Sequence, residues 1–298
     1  MQKIKLLVFG SLFIIVSVNL FGQQNNIYTL LVGLKSIDDS AYAKISKKYS
    51  REATSGVDLD LYKMNRIGTR FNHTILTLSD KEATKKKVLD TIISIGKKIK
   101  PGDTFLFYFS GHGDIVADRN GDEFSGFDQV LVAYDQFIVD DEIYLLLKKH
   151  FAKTKNIMIV DACHSSTSWK WKTVMMDLKL GLTKQTKYLS EQAIESQELP
   201  VNNCTWDSLK LVDEPFNLVY MGATEDFNGA AGDGSGGLLT YWLDRVFTSA
   251  TQNNTWNQYS FRRLACELGK IMYHNRQYLQ YHEIGRTVST YSIQTPFK

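Results

Sequence analysis

Apolar residues along the chain gather in five short runs, separated by longer stretches in which they recur every three or four positions. The runs are 26–34, 72–78, 103–110, 156–161 and 217–223. Each is rich in β-branched and aromatic residues and too short for a helix, so each predicts a strand. The segments between them, 58–71, 81–100 with Thr84 as a possible turn residue, 140–151, 237–248 and 260–273, carry the helical period. Strands that are apolar at every position need cover on both faces. Their alternation with helices therefore predicts an α/β, three-layer α/β/α sandwich with a mostly parallel central sheet. In such sheets the working residues sit just past the carboxyl ends of the strands. Two segments break the pattern. Residues 113–126 are rich in Asp, Gly and Asn, and 165–214 has no clear strand and many Lys, Ser and Gln. Loops of that length are commonly functional or mobile.

Ahead of the first strand lie Lys3 and Lys5, a mainly apolar run from Leu6 to Phe21, and an abrupt change to Gly22-Gln23-Gln24. This reads as a signal peptide over 1–22, the alternative being an uncleaved anchor. Removal of the leader leaves 23–298 as one domain, with no later apolar stretch long enough to span a membrane. The expectation is an exported protein, periplasmic or extracellular, that has left the membrane with its leader. A net charge of +3 gives no electrostatic case for nucleic acid. The lysines at 81, 85–87, 97, 98 and 100 surround an apolar stripe of Val88, Ile92, Ile95 and Ile99, as a solvated helix face does.

Cys163, Cys204 and Cys266 are too few for a disulfide scaffold, and at least one must be unpaired. Cys204 and Cys266 either bridge or leave Cys266 buried on its helix. Cys163 stands apart because it closes the fourth strand, in Asp161-Ala162-Cys163-His164-Ser165. The third strand ends in Tyr108-Phe109-Ser110-Gly111-His112-Gly113. If these strands are neighbours, His112 and Cys163 emerge side by side. The imidazole then assists ionisation of the thiol or protonates a leaving amine, while the flanking glycines admit a substrate backbone. No further ligands at usable spacing support a zinc site at Cys163 and His164. Ser235 lacks the glycine that a nucleophile elbow needs two residues before it.

These two strings resemble those of the caspase and metacaspase superfamily of cysteine peptidases, most closely its bacterial metacaspase-like branch. Their separation is near the roughly 50 residues found in caspases. Weaker matches at Asp60 and Met64, Asp128-Gln129, Asp140-Asp141-Glu142, 237–243 and 294–296 extend the resemblance over most of the chain. It implies a caspase-like fold with a large-subunit-like part (23–164), a linker (165–214) and a small-subunit-like part (215–298). It also implies a peptide or protein substrate. Cys163 would attack the peptide carbonyl, His112 would act as general acid and base, and the N–H groups of Gly113 and Cys163 would receive the oxyanion. Chemistry of this kind requires no cofactor.

Asp161 stands where the superfamily lines its first specificity pocket. A carboxylate there favours Lys or Arg and repels Asp. Asp60 matches a second pocket carboxylate, or else complements a helix N-terminus, and Ser110 lies at the pocket wall. The Arg of the caspase clamp is absent, since Thr54 precedes Ser55-Gly56. Asp128, Asp140 and Asp141 match carboxylates that bind activating calcium in metacaspases, although Lys170 replaces the fourth; otherwise Asp140 caps the following helix. Glu123 and Gln129 rule out a true EF-hand beginning at Asp118. Ser166 replaces a family glycine. The linker lysines Lys170, Lys172, Lys179, Lys184 and Lys187 suit the proposed pocket, so the linker is expected either to be self-cleaved or to fold over the site as a lid. A catalytically weak binding or scaffold module on the same fold is the competing reading. The oligomeric state is not legible.

Overall fold

The computed structural model describes residues 25–42, 54–117, 127–162, 214–223, 232–275 and 277–298. The expected signal peptide, Cys163, Cys204 and the five linker lysines lie outside these residues.

Six strands form the central sheet: β1 (Ile27–Gly33), β2 (Thr74–Ser79), β3 (Thr104–Ser110), β7 (Lys155–Asp161), β8 (Asn217–Gly222) and β11 (Gln280–Ile284). Their order is β11-β8-β7-β3-β1-β2, parallel throughout except for β11, which runs antiparallel to β8. All five expected strands are therefore present, and the three-layer prediction holds.

The two-sided burial follows from the pleat. On β3, Leu106 and Tyr108 enter one core with Leu31, Ile157, Ile159, Val219 and Met221. Phe105, Phe107 and Phe109 enter the other with Leu30, Val32, Met158, Val160 and Tyr220. Helices cover both faces. The first core is closed by α2 (Val57–Arg70), α5 (Leu238–Gln252) and α6 (Phe261–His274). On α2 the inward stripe is Val57, Leu61, Met64 and Ile67, at helical spacing. The second core is closed by α3 (Lys85–Gly96) and α4 (Asp140–His150), through Val88, Ile92, Ile95, Ile143 and Leu147.

Short helices α1 (Asp39–Tyr42) and α7 (Val288–Ser292) complete the set of α-helices among the described residues. None of the described helices is long and apolar enough to cross a membrane.

Local chemistry sets several boundaries. Thr84 accepts from Lys87 N at 3.2 Å and caps α3, so that helix starts at Lys85, after a separate turn of 3₁₀ helix over Asp80–Glu82. Ser260 caps α6 through Arg263 N. Within the expected break at 113–126, β4 (Gly113–Ala117) pairs with β5 (Phe127–Val132), which pairs with β6 (Phe137–Val139) in a small antiparallel sheet. Ile115 and Val116 supply the half-buried apolar content that the Asp and Gly around them obscured. Cys266 is disulfide-bonded, so it is not the free buried thiol that one of the two expectations allowed.

Candidate active site

β3 and β7 are adjacent and in register, with Ser110 opposite Asp161. His112 follows Ser110 by two residues, and Cys163 follows Asp161 by two. The topology thus brings Ser110-Gly111-His112 and Asp161-Ala162 to one edge of the sheet, where α/β sheets place their working groups. Gly111 N–H donates across this edge to the Asp161 carbonyl at 3.4 Å, and Val132 N–H donates to the His112 carbonyl at 3.0 Å. The backbone is therefore tied to the sheet at Gly111 and to β5 at His112. Gly113 opens β4, opposite Leu131.

Below this edge Asp60, Ser110 and Asp161 come together. Asp60, on the first turn of α2, is 1% exposed and Asp161, at the end of β7, is 4% exposed. Ser110 Oγ donates to Asp60 Oδ2 at 2.8 Å. Gly237 N–H reaches the same oxygen at 3.0 Å. Asp161 Oδ2 accepts from Thr240 N at 2.8 Å and Thr240 Oγ1 at 2.7 Å. With the Thr240 proton given to Asp161, Tyr108 OH donates to Thr240 Oγ1 at 2.6 Å. Gly237 is the N-cap of α5, and Thr240 lies in its first turn. Both carboxylates therefore sit at a helix N-terminus, where unsatisfied N–H groups and the helix dipole favour negative charge.

That compensation is incomplete. Asp161 Oδ1 is buried without a hydrogen-bond partner among the described residues. Burial, followed by the charge on Asp60, pushes the Asp161 carboxyl up to about 7. Burial also raises Asp60, although Gly237, Ser110 and Lys63 work against it. With one Asp161 oxygen buried unpaired beside a second carboxyl, the cluster favours a cation at that oxygen.

β9 (Gly232–Asp233) pairs antiparallel with β10 (Gly236–Gly237), and the approach of β10 to these carboxyls requires glycine. Gly236 has φ +112°, and a Cβ there would lie 2.0 Å from Asp60 Oδ1; one on Gly237 would lie 2.3 Å from Asp161 Oδ2. Thr240, Gly236 and Lys63 were not among the expected pocket residues. A signal for the two glycines was present, in the glycine-rich run 232–237 directly before a helix.

The carboxylates matched to calcium form a second cluster. Asp128 Oδ1 and Asp140 Oδ2 are buried without partners among the described residues. Burial, Asp141 and Asp128 hold the Asp140 carboxyl well above its ordinary range. Glu142 Oε2, not Asp140, accepts the N–H of Val139, the residue before α4. Orphaned carboxylate oxygens are donors that suit a hard cation. Asp128 and Asp140 fit that role, whereas no set of three His, Cys, Asp or Glu ligands converges among the described residues.

Comparison with known proteins agrees with this architecture. A family model described as metacaspase, peptidase C14 domain, matches residues 60–172. Metacaspase-2 of Arabidopsis thaliana is 40% identical over 104 residues, covering 31% of this chain and 25% of the relative. Metacaspase-1 of Coccidioides immitis is 28% identical over 160 residues, covering 52% and 31%. The chain thus spans only about a quarter to a third of the length of these curated relatives. A crystal structure of a protein from Geobacter sulfurreducens shares the fold, with a TM-score of 0.66, 22% identity, and coverage of 92% of this chain and 98% of that one. The sheet, its edge and the matched segment define a caspase-like α/β protein. Residues 60–172 are thus similar to the peptidase domain of metacaspases, which are cysteine peptidases.

Proposed function

We propose that this chain is a cysteine endopeptidase that cuts after Arg or Lys, with Cys163 as nucleophile and His112 as general acid and base. The observation that carries the specificity is the unpartnered Asp161 Oδ1, buried beside Asp60 at the sheet edge where the two sequence strings end. A cationic side chain entering there gains two desolvated acceptors, whereas an acidic one meets like charge. Once the side chain is seated, the scissile carbonyl lies next to Cys163. The thiolate adds to it, N–H groups of Gly113 and Cys163 take up the developing negative charge, and His112 passes the proton to the leaving amine. Water then hydrolyses the thioester with His112 as base. This reading makes Cys204 the partner of Cys266 and leaves Cys163 a free thiol. The basic, then apolar, opening segment supports export of the enzyme.

Calcium belongs to this proposal as an activator, with Asp128 and Asp140 as its donors and Asp141 adjacent. When bound it supplies positive charge to carboxyls that are otherwise buried unpaired.

A fluorogenic peptide panel with Arg, Lys and Asp at the cleaved position, run with and without calcium, tests both parts. Arg and Lys peptides should be cut and Asp peptides should not, with faster turnover when calcium is present. Preference for Asp sinks the specificity, and identical rates in calcium and in chelator sink the activator.

Self-cleavage after one or more of Lys170, Lys172, Lys179, Lys184 and Lys187 is part of the same reading, because a long polar linker opens at little free-energy cost. Mass spectrometry of the wild type beside Cys163→Ala should find two associated fragments with a new terminus in 165–214 only in the former. A fully intact, active wild-type chain points instead to a lid that is never cut.

A further inference from the structure

Lys63 lies three residues beyond Asp60 on α2, and its side chain is only 13% exposed. Its Nζ stands 3.7 Å from Asp60 Oδ1. The same ammonium donates to the Ser235 carbonyl and lies 5.5 Å from the centroid of the Tyr241 ring. A carboxylate, a backbone carbonyl and an aromatic face are what a pocket offers a bound lysine. Here they hold one of the chain's own.

We propose that Lys63 is a specificity-determining residue of the basic pocket, a tethered counter-charge that competes with the incoming Lys or Arg side chain for the Asp60 and Asp161 carboxylates. The proposal rests on the basic-specificity reading above. In the empty pocket two buried carboxyls face one internal cation, and the ammonium of Lys63 lowers the proton affinity of both. A substrate cation introduces a second positive charge into the same small, poorly solvated volume. Lys63 must then share its acceptors or swing outward, and either response weakens binding. The same residue that neutralises the resting pocket thus restrains its affinity for substrate. A glycine at 236 is part of the arrangement, because a Cβ there would lie 3.0 Å from Lys63 Nζ and 2.0 Å from Asp60 Oδ1.

The test uses n-butylguanidinium, a substrate side chain without a backbone or a reactive amine, titrated calorimetrically into full-length Cys163→Ala protein. The titration is run at about pH 8.5, above the value of about 7 to which the Asp161 carboxyl is pushed. Adding Lys63→Met should tighten binding roughly tenfold, as expected for removal of one like charge, whereas Lys63→Arg should bind as the parent does. In the catalytically competent chain, Lys63→Met should lower KM for an Arg peptide and leave kcat unchanged. Equal or weaker binding by Lys63→Met overturns the proposal. A second measurement needs no variant at Lys63: n-butylguanidinium should increase acetylation of Lys63 by an activated ester in the parent protein, mapped by peptide mass spectrometry. Unchanged or reduced acetylation under saturating n-butylguanidinium also overturns it. Absence of n-butylguanidinium binding to all three proteins, together with no preference for Arg peptides, overturns the basic-pocket reading itself.

Discussion

Replacing Cys163 by Ala is expected to abolish peptide cleavage while leaving the thermal midpoint close to that of the wild type, because the change removes the attacking atom. His112→Ala should be comparably inactive, each variant losing at least about a thousandfold in kcat/KM. The double variant should be hardly worse, since members of one catalytic unit do not contribute additively. Alkylation supplies a readout that does not depend on turnover. In the unreduced protein Cys163 should be the thiol modified by iodoacetamide, and His112→Ala should slow that modification by removing the base that promotes the thiolate. Cys204 and Cys266 should be recovered as a disulfide-linked peptide pair. Residual cleavage within tenfold of wild type in Cys163→Ala, or a Cys163–Cys266 linkage in active enzyme, would falsify the assignment.

Asp161→Asn is expected to move activity and stability in opposite directions. Cleavage after Arg should fall roughly a hundredfold, a loss of a few kcal/mol of the kind measured for buried charge pairs at interfaces. Stability should rise at alkaline pH, because an amide keeps an oxygen for Thr240 and removes a buried charge. The sign follows from proton linkage. Asp161 holds its proton up to about 7 in the folded protein, whereas an aspartate in the unfolded chain releases it near pH 4. The folded wild type therefore loses stability from this group as pH climbs through that interval. Asp161→Asn has no such loss. Its thermal midpoint should exceed that of the wild type at about pH 8, with the gap narrowing towards pH 4. A constant gap across that range would mean that the carboxyl does not titrate as its surroundings require.

The centre of the sheet was legible because its inner strands are buried on both faces, a demand that writes continuous apolar runs such as Phe105–Phe109 into the sequence, whereas the edge strand β2 is mostly exposed. The strand β11 escaped detection for the opposite reason. Its sequence, Gln-Tyr-His-Glu-Ile, contains polar residues that are nevertheless buried. Burial works against the charge on Glu283, yet two contacts from Arg262, each 2.6 Å, and Tyr281 OH at 2.8 Å hold its carboxyl below the ordinary range. Pairing of that kind depends on residues distant in sequence, so no local pattern announces it. The same limit applied to the pocket. Asp60, Ser110 and Asp161 were recognisable through motif resemblance. Thr240 and Lys63 act through hydrogen bonds and charge that exist only after α2 and α5 have packed beside the sheet. The assignments of Cys163 and the linker lysines rest on sequence alone, since these residues lie outside those described.

The clamp on the two pocket carboxyls gives the order of synthesis a meaning. Asp60, Ser110, His112, Asp161 and Cys163 all leave the ribosome before Gly237 and Thr240, whose N–H groups hold the carboxyls in place. A nascent or truncated chain ending before Gly236 would already own every reacting atom and both acidic side chains. It would lack the helix terminus that orients those carboxyls and donates hydrogen bonds to them away from water. On the function proposed above, recognition of a basic residue would await the folding of α5, and an unfinished molecule would be a poor protease inside the cell that makes it.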